Sequence, residues 1–152
     1  KADDLAPPFV LPGDDDKTHA LKDHRGEIVV VYFYPRDDTP GCTTEACDFR
    51  DHMPRIAKAG AVVYGISKDS VFSHGKFKAK HKINFALLSD PEFQAIDAYG
   101  ARRMKSFLGK SFLGIVRSTF LIGPDGKIRK TWPNVSPKGH AVEVLEALKA
   151  AG

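Results

Sequence analysis

Two cysteines five positions apart are the residues of this sequence best suited to chemistry. Cys42 and Cys47 lie in the run Pro35-Arg-Asp-Asp-Thr-Pro-Gly-Cys-Thr-Thr-Glu-Ala-Cys47. A cysteine reacts as its thiolate, which is favoured at a helix N-terminus by unpaired backbone N–H groups and the helix dipole. Because Thr39 and Pro40 suit the N-cap and the first position of a helix, the run places Cys42 in a first helical turn. The pattern therefore predicts a reactive thiolate.

The spacing of the two cysteines favours a redox role over a structural one. A bridge between them would close a short loop and restrain little of the unfolded chain. If Cys42 were oxidised to a sulfenic acid, the thiol of Cys47 could condense with it. Residues five apart on a helix are separated by about 7.5 Å along its axis, whereas a disulfide needs Cα atoms about 4.4–6.8 Å apart. We expect a reduced helical form and an oxidised form with its first turns unwound, a change that Gly41 and Pro54 would ease.

A peroxide as the oxidant would require a positive group beside the thiolate. The leaving oxygen gains negative charge, which fixed N–H donors and a guanidinium stabilise best. Arg117 precedes a predicted strand and is the candidate, with a surface arginine as the alternative interpretation. The hydroxyl of Thr39 is close enough in sequence to reach the sulfur, and Pro35 and Pro40 would stiffen the pocket and limit water.

The elements that position these residues alternate between strands and helices. Apolar, β-branched runs predict buried strands, and capping residues with helical spacing predict helices. Predicted strands cover 27–34, 61–67, 85–89, 117–122 and 127–132, and predicted helices cover about 39–58, 69–82, 90–99 and 139–151. Residues 2–21 should be extended chain and turns with a small hairpin, and Pro54 should kink or break the first long helix. The order predicts one α/β domain over 1–152, with the cysteines after the carboxyl end of a strand, where sites form.

Composition excludes several other classes of protein. The chain of 152 residues is 42% hydrophobic and 28% charged, which argues against disorder, fibres and membrane proteins. Its net charge is +4, but the basic residues are spread out and the densest group, in 76–82, is interpreted as a solvated helix face. We expect no nucleic-acid or membrane partner. No secretory signal is visible, which favours the cytoplasm, although the first residue is Lys1 and a removed targeting peptide stays open.

Other functions fit the cysteines less well. Dithiol–disulfide oxidoreductases typically place two residues between their cysteines, and this chain has four. Cys42, Cys47 and His52 resemble a ligand set, but structural zinc needs four ligands at tighter spacings. A redox sensor that passes its disulfide to a partner uses the same first step and remains an alternative. We expect no metal and, without a glycine-rich phosphate loop, no nucleotide cofactor. The remaining histidines show no ligand spacing and are predicted to lie at the surface: His19, His24, His74, His81 and His140.

A direct repeat stands apart from this pattern. Lys105-Ser-Phe-Leu-Gly109 is followed at once by Lys110-Ser-Phe-Leu-Gly114. One interpretation is a loop whose phenylalanines, Phe107 and Phe112, pack into the domain. The other is an exposed apolar collar near the active site that contacts a substrate or a partner.

Three segments together resemble one protein family. The motif Pro-x-x-x-Thr-x-x-Cys at Pro35, Thr39 and Cys42 resembles the active-site motif of peroxiredoxins. The strings Tyr34–Glu45 and Arg117–Gly126 are similar to the bacterioferritin-comigratory, or peroxiredoxin Q, branch. So is Trp132 followed by Lys138-Gly-His-Ala-Val-Glu-Val-Leu145, and the likeness covers nearly the whole chain.

The resemblance carries specific expectations. It implies a thioredoxin-like fold, with a central mixed sheet flanked by helices and an N-terminal extension. It implies a monomer that reduces hydrogen peroxide and organic hydroperoxides at the expense of thioredoxin or a glutaredoxin-type dithiol. By the same resemblance, Cys42 is the peroxidatic cysteine and Cys47 the resolving one. Thr39 and Arg117 activate the peroxide and the thiolate, Pro35 shields them, and Glu45 orients Arg117.

Overall fold

A mixed five-stranded sheet forms the centre of the protein in the computed structural model, which describes residues 3–151. The strands are β1 Val10–Pro12, β2 Thr18–Ala20, β3 Ile28–Phe33, β4 Ala61–Ser67, β5 Ala86–Ser89, β6 Arg102–Phe107, β7 Lys110–Ile115, β8 Ser118–Ile122 and β9 Ile128–Trp132. The α-helices are α1 Pro40–Lys58, α2 Val71–His81, α3 Gln94–Ala98 and α4 His140–Ala151, and a 3-10 helix covers Leu21–His24. The α/β architecture is as predicted.

The central sheet has the order β5-β4-β3-β8-β9. Strand β3 runs parallel to β4 and antiparallel to β8, and β4 runs parallel to β5. The continuous apolar run of β3 is buried on both faces, as its sequence predicts, and its side chains alternate between two cores. Val31 and Phe33 join one core with Tyr64, whereas Val30 and Tyr32 join the other with Cys42.

Two short strands of the N-terminal segment form the expected small hairpin. β1 pairs antiparallel with β2, and this hairpin covers the core that contains Tyr64 through Phe9 and Leu11. The opposite core lies under α1 and α4, which pack beside each other. The two faces of the sheet are therefore closed by different parts of the chain.

The predicted break of the first helix at Pro54 is wrong. α1 continues through Pro54 to Lys58. A proline in a helix cannot donate to the carbonyl four residues earlier, which here belongs to Arg50. That carbonyl accepts a bond of 3.2 Å from the side-chain amide of Asn84 instead. A neighbouring loop thus replaces the donor that the proline removes.

Two histidines predicted at the surface are completely buried. His74 and His140 each have 0% exposure. Nδ1 of His74 lies 2.7 Å from Oδ2 of Asp37, and Nε2 of His140 lies 2.8 Å from the hydroxyl of Thr119. The prediction failed because polar partners inside the fold satisfy these rings, and those partners are distant in sequence.

The repeat forms an exposed hairpin, and its phenylalanines do not pack into the domain. β6 and β7 pair antiparallel as a separate two-stranded sheet. Phe107 and Phe112 are 67% and 47% exposed, and Leu108 at the tip is 86% exposed. Of the two interpretations, the tucked loop is therefore wrong. In the described part of the chain, no helix has the length and apolar character needed to cross a membrane.

Candidate active site

Cys42 lies in the first turn of α1, directly after the loop that follows β3. Its side chain is buried, with 1% exposure, and faces the core under α1. The loop is anchored at its start and in its middle, since the amide of Tyr34 donates to Ile66 O and the amide of Asp37 donates to Oδ2 of Asp69 at 2.8 Å. The N-terminal position expected for Cys42 is confirmed, and the first turn contains no acidic residue that would oppose a thiolate.

Arg117 reaches this thiol from the short segment between β7 and β8. Its Nη2 lies 3.4 Å from the sulfur of Cys42, and its Nη1 donates to Oε1 of Glu45 at 2.7 Å. The guanidinium is mostly buried, and the backbone carbonyl of Arg117 accepts from the amide of Val135. Arg117 is therefore not a surface arginine. Its guanidinium contacts both the carboxyl group of Glu45 and the thiol of Cys42, and each of these can become an anion.

Burial governs the charge of Glu45. Its side chain is entirely buried, which raises its pKa from 4.5 to about 7 even though Arg117 acts to lower it. Burial also lowers the pKa of Arg117, but the negative charges of Glu45 and Cys42 outweigh that effect and raise it. Among the described residues, Oε2 of Glu45 and the hydroxyl of Tyr32 are both buried without a hydrogen-bond partner. The guanidinium is thus shared between a carboxyl group that titrates near neutral pH and a thiol.

Thr39 occupies the N-cap position of α1, but its side chain does not cap the helix. Its hydroxyl donates to Arg36 O at 3.0 Å. A capping side chain would have accepted a hydrogen bond from an amide of the first turn. Because the Thr39 side chain accepts no such bond, the amides of the first turn stay free of it and contribute to the positive end of the helix beside Cys42.

Pro35 lies in the wall of a groove next to this site. The groove has a volume of about 300 Å³. Its lining combines cations with apolar side chains: Pro35, Arg36, Lys68, Phe93, Arg102, Lys105, Phe112, Leu113, Gly114 and Ile115. Burial lowers the pKa of Lys105, and the charge of Arg117 lowers it further. Sequence reasoning missed Lys105, because only the fold of the hairpin brings it near Arg117.

Cys47 is half-buried further along α1, and both cysteines are free thiols. The next residue, Asp48, accepts a hydrogen bond from the backbone amide of Ala141 at 3.1 Å, which ties α1 to the start of α4. Nothing in the sequence pattern indicated this bond. A disulfide between Cys42 and Cys47 requires this part of α1 to leave its helical form.

The metal interpretation with Cys42, Cys47 and His52 is not supported by the described residues. Nδ1 of His52 lies 2.8 Å from the backbone carbonyl of Asp48. The group of His and carboxylate side chains that does converge is Asp37, Asp69 and His74. Its oxygens already accept hydrogen bonds from hydroxyl groups of neighbouring residues: Tyr34, Ser67 and Ser73.

Comparison with known proteins agrees with this geometry. Residues 2–131 match the AhpC/TSA family. The chain belongs to that family. It is 48% identical over 144 residues to peroxiredoxin Bcp of Bacillus subtilis, which covers 95% of this chain and 92% of that protein. It is 44% identical over 149 residues to peroxiredoxin Bcp of Escherichia coli K12, which covers 98% and 96%. The protein is therefore a peroxiredoxin, as its motifs predict.

Solved structures of peroxiredoxins share its fold. Xanthomonas campestris bacterioferritin comigratory protein, studied for its alkyl peroxide reduction activity, superimposes with a TM-score of 0.90 at 43% identity and covers 94% of this chain and 91% of its own. PrxQ from Xylella fastidiosa gives a TM-score of 0.91 at 35% identity, with 99% and 98% covered. The thioredoxin-like fold expected from the sequence is confirmed.

Proposed function

We propose that this peroxiredoxin reduces hydrogen peroxide and organic hydroperoxides with Cys42 and resolves the product with Cys47. The observation that carries the proposal is the contact of 3.4 Å between Nη2 of Arg117 and the sulfur of Cys42, in the first turn of α1. A guanidinium and a helix N-terminus both stabilise a thiolate. They also stabilise the negative charge that a leaving oxygen gains.

The first step transfers one oxygen to sulfur. The thiolate of Cys42 attacks an oxygen of ROOH, the S–O bond forms, and the O–O bond breaks with its electron pair on the leaving oxygen. The leaving RO⁻ takes up a proton and departs as ROH, with Cys42 left as a sulfenic acid. Because Arg117 lies beside the sulfur, it can interact with the thiolate before attack and with the leaving oxygen afterwards.

Three further residues prepare this step. Glu45 positions Arg117 through the bond of 2.7 Å between Oε1 and Nη1. Thr39, at the N-cap, presents its hydroxyl oxygen to an incoming peroxide, because its proton is directed to Arg36 O. Pro35 lines the neighbouring groove, and its ring limits access of water to the thiol in this proposal.

The second step requires local unfolding. The thiol of Cys47 loses its proton and attacks the sulfur of the sulfenic acid, an S–S bond forms, and hydroxide leaves to become water. The first turns of α1 unwind so that the Cα atoms approach within disulfide distance. A dithiol of the thioredoxin or glutaredoxin type then takes up the disulfide and restores both thiols.

The proposal also covers the domain, the oligomeric state, the compartment and the substrates of the protein. We expect a single domain over 1–152 that acts as a monomer in the cytoplasm, with no nucleic-acid partner. Organic hydroperoxides are proposed substrates because alkyl peroxide reduction is the activity studied for the Xanthomonas campestris relative. Native mass spectrometry of the reduced and the oxidised protein tests the monomer, and a dimer in both states would contradict it.

The experiment is a turnover assay with purified components. Hydrogen peroxide and cumene hydroperoxide are supplied with thioredoxin, thioredoxin reductase and NADPH, and separately with glutaredoxin and glutathione. We expect multiple turnovers with at least one reductant, none with Cys42→Ser, and a single oxidation event with Cys47→Ser. A wild-type protein that oxidises once but is not reduced by either system would favour the redox-sensor alternative.

A further inference from the structure

A second set of convergent polar groups lies on the sheet face opposite to Cys42. Its centre is the hydroxyl of Tyr64. Tyr64 lies on β4, where it pairs with Val31 of β3, and it is 2% exposed. Two histidine nitrogens point at this one oxygen: Nδ1 of His19 at 3.1 Å and Nε2 of His24 at 2.5 Å. The three residues come from β2, the 3-10 helix and β4. The sequence predicted both histidines to be unrelated surface residues.

The other nitrogen of each histidine faces a carboxylate. Nε2 of His19 lies 2.9 Å from Oδ2 of Asp15, and Nδ1 of His24 lies 3.0 Å from Oε1 of Glu27. An ionised carboxylate only accepts hydrogen bonds, so these outer nitrogens carry the protons. In the neutral rings, the inner nitrogens then direct lone pairs at Tyr64.

A single hydroxyl cannot satisfy this arrangement. It has one proton and can donate it to one of the two inner nitrogens. The other nitrogen then faces an oxygen lone pair with no proton between them. A proton added to one ring would relieve the conflict, and so would a cation bound by both nitrogens and the oxygen.

We propose that His19, His24 and Tyr64 bind a divalent late transition-metal ion, with Cu²⁺ held more tightly than Zn²⁺. Imidazole nitrogens are good ligands for both ions, and Cu²⁺ has the higher affinity at a given site of this kind. Ligand bonds of about 2.0–2.2 Å place neighbouring donor atoms roughly 3 Å apart. The His19 nitrogen lies 3.1 Å from the Tyr64 oxygen, whereas the His24 nitrogen, at 2.5 Å, would have to move outward slightly. Solvent provides the remaining ligands.

The surroundings of the three donors favour a cation. A metal-bound histidine typically donates its other N–H to a carboxylate, which fixes the ring orientation, and both histidines here do so. Burial and the charges of three carboxylates, Asp15, Glu27 and Asp23, raise the pKa of Tyr64 to about 12. The phenol therefore acts as a weak neutral donor, and the two imidazoles provide most of the affinity. The same charges attract a metal ion, while Lys22 and Arg25, which line the neighbouring pocket with His24, oppose it.

Access and local packing are consistent with binding. The side chains of His19 and His24 are 17% and 19% exposed, so both imidazoles border solvent. A Cβ at Gly13 would lie 2.7 Å from Oδ1 of Asp15 and 2.9 Å from Nε2 of His19. Glycine at this position therefore leaves room for the Asp15–His19 pair.

The test is titration of the protein with Cu²⁺ alone, followed by calorimetry and electron paramagnetic resonance. A Cys42→Ser/Cys47→Ser background removes thiol ligands. We expect one equivalent to bind with hyperfine coupling to two imidazole nitrogens. His24→Phe should lose this binding, and Tyr64→Phe should weaken it. His81→Gln, at a half-buried histidine paired with Asp38 elsewhere, is the matched control and should bind as the background does.

Glu27→Gln keeps the proposal testable if His24→Phe does not fold. Glu27 is half exposed, so the variant should fold, and loss of such an outer partner should weaken Cu²⁺ binding by about 10–100-fold. Equal affinity in the background and in Glu27→Gln would overturn the proposal. So would coupling to a single nitrogen, which would place the ion elsewhere, for example at Asp37, Asp69 and His74.

Discussion

Buried polar side chains are paired differently on the two faces of the central sheet. On the face under α1, a carboxyl group and a thiol are buried together, and the guanidinium of Arg117 contacts both. On the face under the N-terminal hairpin, two imidazoles and a phenol converge with carboxylates behind them, and no side-chain cation is seen in the described contacts of the Tyr64 hydroxyl. Buried polar groups must be paired. The first face uses a cation of the chain, and the second is suited to one from solution.

The largest effect should come from removing Arg117, the cation on the face under α1. Arg117→Ala should slow oxidation of Cys42 by hydrogen peroxide by about 10²–10³-fold, the usual cost of losing a fixed donor to developing charge. Arg117→Lys should be slowed less, because an ammonium keeps the charge but lacks the planar geometry that contacts two groups. Stopped-flow fluorescence under excess peroxide measures both rates. An alanine variant within twofold of wild type would show that the contact does not drive the chemistry.

The pKa of Glu45 predicts a pH-dependent difference in stability. It is raised from 4.5 to about 7 by burial, so between these values the unfolded chain loses its proton while the folded protein keeps it. The stability of wild type should therefore fall relative to Glu45→Gln as pH rises from 5 to 8, by on the order of 3 kcal/mol.

Urea unfolding of the reduced wild type and Glu45→Gln at pH 5 and 8 measures this difference. Asp51→Asn is a control at an exposed carboxylate on the same helix. A stability difference that stayed constant or rose with pH would mean that Arg117 outweighs burial, and that the carboxylate is the dominant form on this face.

A smaller effect should follow from altered helix propensity between the cysteines. Thr44 is exposed on α1, and its hydroxyl bonds back to Pro40 O. Thr44→Ala should stabilise the helical form by about 0.5 kcal/mol and slow disulfide formation about twofold, with more sulfinic acid at high peroxide. Gly41 is less suitable, because a Cβ there would lie 3.0 Å from Nη2 of Arg117.

The matched variant Thr44→Gly should act in the opposite direction, because glycine disfavours the helix. Mass spectrometry of disulfide and sulfinic products after graded peroxide gives the ratio for both variants. Identical ratios in the two would indicate that unwinding of α1 does not limit resolution.

The two faces should be independent in catalysis. Tyr64→Phe removes the hydroxyl on which the histidines converge, but Tyr64 belongs to the core opposite to that of Cys42. We expect an unchanged rate of Cys42 oxidation, within experimental error of wild type. A tenfold change in the same stopped-flow assay would mean that the sheet couples its two faces.

Local patterns predicted the first face well. The apolar run of β3, the Thr39-Pro40 helix start and the position of Arg117 before β8 are features of short segments, and the structure places them as expected. The bond between Arg117 and Glu45 also followed from family resemblance. What remained hidden was the degree of burial that raises the pKa of Glu45, since burial depends on every element packed around a group.

The second face could not be predicted, because its partners are far apart in the chain. His19 and His24 are 45 and 40 residues from Tyr64, and neither spacing is typical of a binding motif. The same reason explains Pro54, whose effect on α1 is offset by Asn84 from a distant loop. In both cases the fold brings together side chains that are distant in sequence, so no local pattern could predict their contact.

The central claim is that Cys42 and Cys47 form an intramolecular disulfide on reaction with peroxide. The direct measurement is the intact mass of the reduced protein after one equivalent of hydrogen peroxide, together with a thiol count. The account predicts a loss of two hydrogens within one chain, no remaining thiols, and an inert Cys42→Ser variant. An unchanged mass with both thiols free would contradict it.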